Sequence, residues 1–261
     1  MKKTHLDYAY ADPAGNITLL VETPCPADAY PQIAAKLLAA EPDAEQVGFV
    51  ESVSPQGVTL HMAGGEFCGN AAFSGAALAA RKAGADEGFF SVDFFGLDRP
   101  LSASVKRIAE NRFSGEIEIP SPEELSQREL RFRDTVLRLP VVRFPGIAHI
   151  LCPVPLEASF AEAALKQWCA ELEAPAAGIM LLDEERMSLV PLVYVPAADT
   201  LFWERSCASG TCAAAAWLSS RFGMHGVFRF SEPGGTLGAE TGPDSLKLLD
   251  SVELSFRSVL I

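Results

Sequence analysis

Short runs of β-branched and aromatic residues, separated by polar breaks, recur along most of the chain and predict strands. ITLLVET, VGFVESV, GVTLHM, FFSVDFF, LSASVKR and GEIEIP carry the pattern in the first half. VVRF, AHILCPV, GIMLLD, SLVPLVYV, TLFWE, VFRFSE and VELSFRS carry it in the second. PQIAAKLLAAE and SFAEAALKQWCAELEA each add a helix, and the polar, charged SPEELSQRELRFRD reads as the connection between halves. Two segments depart from the usual helix pattern of one apolar and one polar face. AAFSGAALAARKA after Cys68, and TCAAAAWLSSRF after Cys207, are small and apolar on all sides, which suits a helix tightly enclosed by sheet.

These two segments belong to a repeat. Cys68 and Cys207 stand 139 residues apart (207 − 68), and the same offset relates Gly84 to Gly223, Phe89 to Phe228 and Gly96 to Gly235. Basic residues near each helix end, followed by glycine, mark both C-termini. The expected fold class is therefore α+β, with two strand-rich domains that each hold one central small-faced helix. PGGTLGAETG lacks the lysine-containing phosphate-loop pattern and reads as a turn between strands.

Composition narrows the functional classes. A chain of 261 residues with a net charge of −13 is a poor partner for nucleic acid or an anionic membrane surface. No apolar run approaches the ~20 residues that span a bilayer, and MKKTHLDYAYADPAG does not resemble a signal peptide, so the cytoplasm is the expected location. Six cysteines without a C-x-x-C, and only four histidines, suggest free thiols and no metal site. Cys25, Cys152, Cys169 and Cys212 read as small buried hydrophobes.

Cys68 and Cys207 differ from these by standing at helix starts. The first turn of a helix offers unpaired N–H groups and the positive end of the macrodipole. A cysteine placed there is expected to have its pKa lowered from ~8.5, and the same amides can hold a carboxylate. Gly69-Asn70 and Ala208-Ser209-Gly210 carry no bulk to obstruct its approach. If the domains face each other by pseudo-symmetry, a substrate carboxylate lies between the helix ends with one sulfur on either side of its α-carbon. That arrangement suits racemisation: one thiolate removes the α-proton while the opposite thiol supplies another. The scheme needs no cofactor, pyridoxal included.

GEFCGNA and SCASGTCA resemble the two active-site segments of the diaminopimelate epimerase family, whose relatives include histidine racemases of opine-metallophore pathways and, more distantly, proline racemases. The resemblance implies two pseudo-symmetric domains, each a curved sheet or barrel around a central helix. These are placed at 1–122 and 123–250, with the strand at 251–261 returning to the first. It implies catalytic roles for Cys68 and Cys207, a supporting His149 in GIAHILC near the first cysteine, and a Glu204 that assists Cys207. It also implies substrate contacts from Asn16 in DPAGN, Gln46 in AEQVGFVE, Gly69, Asn70, Ala208, Ser209 and Gly210, and a turn at EPGGTL. The departures bear on substrate. The family segment that holds a charged distal end is contracted to WERSC, leaving Glu204 and Arg205, and Ile147 replaces an asparagine. A second expected asparagine falls near Val190-Pro191. Diaminopimelate would leave its distal charges unpaired here. MAGGEFCGNA and WERSCASG look closer to the histidine racemase branch, so histidine is the first candidate substrate.

Other readings stay open at this point. Cys68 and Cys207 are alternatively small residues packed at helix starts, and His149 a satisfied core histidine. Trp203 lines the pocket or merely braces its strand. A proline racemase or a diaminopimelate-type epimerase shares the chemistry. A thiol redox protein or a non-catalytic amino-acid-binding module shares the cysteines or the cleft. A phenazine-type isomerase works with an acidic residue, which the cysteine pair disfavours. The expected partner is a small amino acid, and a homodimer is compatible with it.

Overall fold

The structure, a computed structural model, describes residues 4–261. Its contacts divide the chain into two units: one runs to Glu118 and resumes over Leu249–Ile261, and the other is Ile119–Leu248. In chain order, the first contains β1 (His5–Pro13), β2 (Thr18–Val21), α1 (Tyr30–Ala40), β3 (Gln46–Ser54), β4 (Gly57–Met62), α2 (Gly69–Ala83), β5 (Glu87–Phe94), β6 (Leu101–Ala109) and β7 (Arg112–Glu118). The second contains β8 (Glu124–Phe132), β9 (Thr135–Phe144), β10 (Ile147–Cys152), α3 (Ala158–Glu171), β11 (Ala177–Asp183), β12 (Ser188–Val195), β13 (Thr200–Trp203), α4 (Ala208–Phe222), β14 (Gly226–Glu232) and β15 (Gly235–Thr241). The last strand, β16 (Leu246–Leu260), begins in the second unit and ends in the first.

Strands β1 to β7 follow one another in sheet order, and β16 joins β7 to β1. The β1–β16 pairing is antiparallel, from His5↔Leu260 to Pro13↔Val252, and closes an eight-stranded barrel. Two of its neighbouring pairs, β2–β3 and β4–β5, are parallel. Parallel neighbours need a crossover connection, and α1 and α2 supply the two. The second unit repeats the device: α3 links parallel β10 and β11, and α4 lies between β12 and its parallel partner β14.

The helices in each unit do different work. Helix α1 buries Ile33, Ala34 and Leu37 in a core with Leu6, Leu19 and Val47, and α3 buries Trp168 among Ile150, Ile179 and Leu192. Helices α2 and α4 are enclosed instead. Every residue of α2 from Gly69 to Ala80 is buried, as is every residue of α4 from Ala208 to Ala215. Alanine, glycine and serine keep the cylinder narrow, so strands can close round it without long side chains intervening. Both helices end on a glycine in the left-handed conformation, Gly84 at φ 67° and Gly223 at φ 64°, where a β-carbon would be strained.

Three expectations need correction. PGGTLGAETG is a turn only at Pro233-Gly234, and Gly235–Thr241 is strand β15. Most of SPEELSQRELRFRD is not a connection but strand β8, which stands at one end of the sheet order and pairs with β9 over Glu124↔Arg143 to Phe132↔Thr135. Only Leu130 and Phe132 of β8 are buried, so a polar composition conceals a strand held mainly by its backbone partner. Cys25 is only half-buried, whereas Cys152, Cys169 and Cys212 are fully enclosed as read from the sequence.

Candidate active site

In the first unit, Cys68 is the N-cap of α2. Its backbone is extended and its Sγ accepts the Ala71 N–H at 3.3 Å. Sulfur is a weak acceptor, so cysteine is a poor substitute for the serine or aspartate that usually caps a helix. Its use here places a sulfur atom beside the backbone amides of the first turn. Gly69 and Asn70 are the first two helical residues, both buried. Asn16 is fully buried and donates from Nδ2 to the Glu45 carboxylate at 2.7 Å. Gln46 opens β3 opposite Thr18, next to the same loop. The sequence did not single out Glu45, which engages the amide expected to contact substrate.

The second unit repeats the cap. Cys207 precedes α4 in an extended conformation, with Sγ accepting the Gly210 N–H at 3.4 Å. Ala208, Ser209 and Gly210 form the first turn, all buried. Gly210 is required by space: a β-carbon there would lie 2.2 Å from Met180 Sδ and 3.2 Å from Cys207 Sγ. Ser209 Oγ lies 3.7 Å from Cys207 Sγ and 2.8 Å from His149 Nε2. His149 thus reaches Cys207 through Ser209. Among the described residues its Nδ1 has no hydrogen-bond partner, and a β-carbon on Gly178 would sit only 2.8 Å away. The cheapest neutral tautomer leaves Nδ1 as the bare acceptor and donates Nε2–H to Ser209 Oγ. The Ser209 hydroxyl is then free to donate toward the sulfur.

The helix start does not acidify Cys207. Burial pushes its thiol well above the usual range, the Glu204 and Glu232 carboxylates push it further, and the Gly210 N–H and Ser209 hydroxyl only partly oppose them. The helix terminus is worth a fraction of what removing water and adding two negative charges cost a thiolate. Glu204 is buried three residues before the cap, with its backbone N–H on the Pro191 carbonyl at 3.0 Å. The sequence reading missed Glu232 and Thr211. Glu232 accepts the Cys207 N–H at 2.8 Å and also a hydrogen bond from the Thr211 hydroxyl. Only the spacing of an acidic residue just before the Pro-Gly-Gly turn hints at it.

His149 gives the site a measurable pH signature. Burial lowers its pKa from 6.5 to about 3, so the folded protein keeps it neutral. The unfolded chain takes up a proton near pH 6.5 and therefore binds more protons between pH 6.5 and 3. This contribution to stability is complete above the unfolded pKa and is lost as pH falls, by at most ~1.4 kcal/mol per pH unit. Urea denaturation at several pH values should show a flatter acid slope for His149→Gln than for the native protein. Identical slopes would show that His149 takes up its proton in both states alike.

Among the described residues, no group of three or more histidine, cysteine, aspartate or glutamate side chains is placed to hold a metal ion, and no helix is long and apolar enough to cross a membrane. Among the described residues, the six cysteines form no disulfide.

The barrel wrapped on a small-residue helix, with its crossover pattern and cysteine cap repeated in a second unit, belongs to a chain whose relatives are racemases, and the protein is an isomerase of that class. The same fold is found in a predicted epimerase from Pseudomonas aeruginosa, with a TM-score of 0.72 at 14% identity over 99% of both chains. More specifically, the chain belongs to the histidine racemase family: the histidine racemase CntK N-terminal domain matches residues 5–254. A histidine racemase of Fusobacterium nucleatum is 35% identical over 82% of this chain and 81% of its own. One from Staphylococcus aureus is 28% identical over 91% of this chain and 89% of its own.

Proposed function

We propose that the protein interconverts the enantiomers of a free amino acid with one stereocentre, histidine first, in the cytoplasm and without an organic cofactor or metal. Cys68 and Cys207 are its acid–base pair. One thiolate takes the α-hydrogen as a proton, and the opposing thiol delivers its own proton to the other face of the same carbon. The net change is inversion, with the protonation states of the two sulfurs exchanged. The α-hydrogen is weakly acidic, so negative charge developing on the substrate must be stabilised. Amides of the first turns of α2 and α4 are suitable donors, fixed before the substrate arrives. The carrying observation is that each enclosed helix has a cysteine as its cap, its sulfur accepting an N–H of its own helix's first turn. The relatives named histidine racemases support histidine as the substrate. A homodimer is the assembly to look for by light scattering.

The test is exchange in heavy water. Reduced protein is incubated with L- or D-histidine, proline, diaminopimelate and a panel of other amino acids. Loss of the α-hydrogen signal is followed by proton NMR, and chirality by chromatography. Deuterium incorporation with inversion of histidine is expected. Inversion of another member of the panel would replace histidine as substrate. No exchange with any, at fully titratable thiols, would sink the proposal.

A further inference from the structure

Of the groups that the sequence did not bring forward, the carboxylate of Glu232 has the most specific surroundings. In a capping box, a glutamate at the third helical position bonds back to the N–H of the cap. The third position of α4 is Gly210, and Met180 leaves no room there for a side chain. The missing carboxylate arrives from β14, 25 residues along the chain, where one Glu232 oxygen accepts the Cys207 N–H at 2.8 Å. The other oxygen accepts from the Thr211 hydroxyl, one residue beyond Gly210. A second tie, from the Gly234 N–H to the Arg205 carbonyl at 2.6 Å, holds the β14–β15 turn against the same segment.

The carboxylate also bears on the sulfur. A buried negative charge disfavours a second one nearby, and Glu204 acts in the same sense. Of the elements packed against α4, β10 contributes His149, which burial keeps neutral. The buried positions of β9, β11 and β15 are all uncharged.

We propose that Glu232 is a positioning residue: it completes the cap of α4 from outside the helix and keeps Cys207 in the thiol form between turnovers. Cys207 then enters the reaction as proton donor, and the resting enzyme takes the enantiomer whose α-hydrogen faces Cys68. After transfer, Cys68 carries the added proton and Cys207 the charge; Cys207 regains a proton from water and Cys68 returns one. The proposal rests on the two-thiol racemase assignment for its catalytic meaning, though not for its geometry.

The test reads the sulfur directly. Reduced, full-length protein is labelled with iodoacetamide across a pH series, and peptide fragmentation separates Cys207 from Cys212. Glu232→Gln keeps an acceptor for the Cys207 N–H while removing the charge. The midpoint of Cys207 labelling is expected to move about one pH unit or more downward. An unchanged midpoint in a variant with native circular dichroism would overturn the proposal. Should Glu232→Gln not fold, the native protein decides: an infrared S–H stretch at neutral pH, assigned by its loss in Cys207→Ala, is expected, and its absence refutes the thiol form. The exchange assay decides the racemase assignment separately, so either conclusion can fail while the other stands.

Discussion

Serine in place of Cys68 or Cys207 is expected to slow inversion at least ~1,000-fold while leaving the protein folded, within the range that a positioned acid or base contributes. A hydroxyl caps a helix better than a thiol does, since oxygen is the stronger acceptor for the amides now held by sulfur, those of Ala71 and Gly210. Thermal melts should therefore be unchanged or slightly raised. The hydroxyl is far too weak an acid to exchange protons with an α-carbon on a useful timescale. Each single variant also keeps one thiol, so any residual deuterium incorporation should favour one enantiomer and proceed without inversion. Near-native racemisation by either serine variant would remove the two-thiol mechanism. Loss of activity with loss of fold would instead point to a packing role for that cysteine.

The largest expected loss of stability lies away from the chemistry. Trp168 on α3 is fully buried among Ile150, Ile179 and Leu192, and its indole N–H donates to the Arg131 carbonyl at 3.0 Å. That bond ties the helix to β8, the strand with few buried side chains of its own. Trp168→Ala should cost about 3–5 kcal/mol by leaving a cavity that the fixed strands around α3 cannot fill. Trp168→Phe should lose less, since it keeps much of the volume and forfeits mainly the hydrogen bond. Urea unfolding followed by circular dichroism measures both. A loss below about 1 kcal/mol for the alanine variant would mean that α3 repacks freely.

The enclosed helices were legible because their cause is local: alanine, glycine and serine around the whole circumference admit no solvent-facing side. The cysteine caps were legible for the same reason, at the start of each small-residue run and before Gly84 or Gly223 at its end. Strand β1 lacks a legible strand pattern, although Leu6 and Tyr8 alternate inward, because His5, Asp7 and Asp12 dilute a run that its partners β2 and β16 hold in place. Strand β8 was hidden in the same way. The acidity of Cys207 was misjudged because the helix-start rule sees only the amides of one helix. Burial, Glu204 and Glu232 decide the sign, and Glu232 comes close only when β14 folds back on the start of α4. Sequence spacing carries no record of that distance.

The closure of the first barrel by β16 has a consequence for biosynthesis. β1 is synthesised well ahead of its partner, which spans Val252 to Leu260, so this edge stays unpaired while all the residues between the two strands are made. At roughly 5–20 residues per second, the wait is on the order of 10–50 s. Throughout it, an alternating strand with an open edge is exposed to other nascent chains. The residues of the second unit, Ile119–Leu248, are complete before that wait ends, so the unit that holds β1 is the last to acquire its final shape.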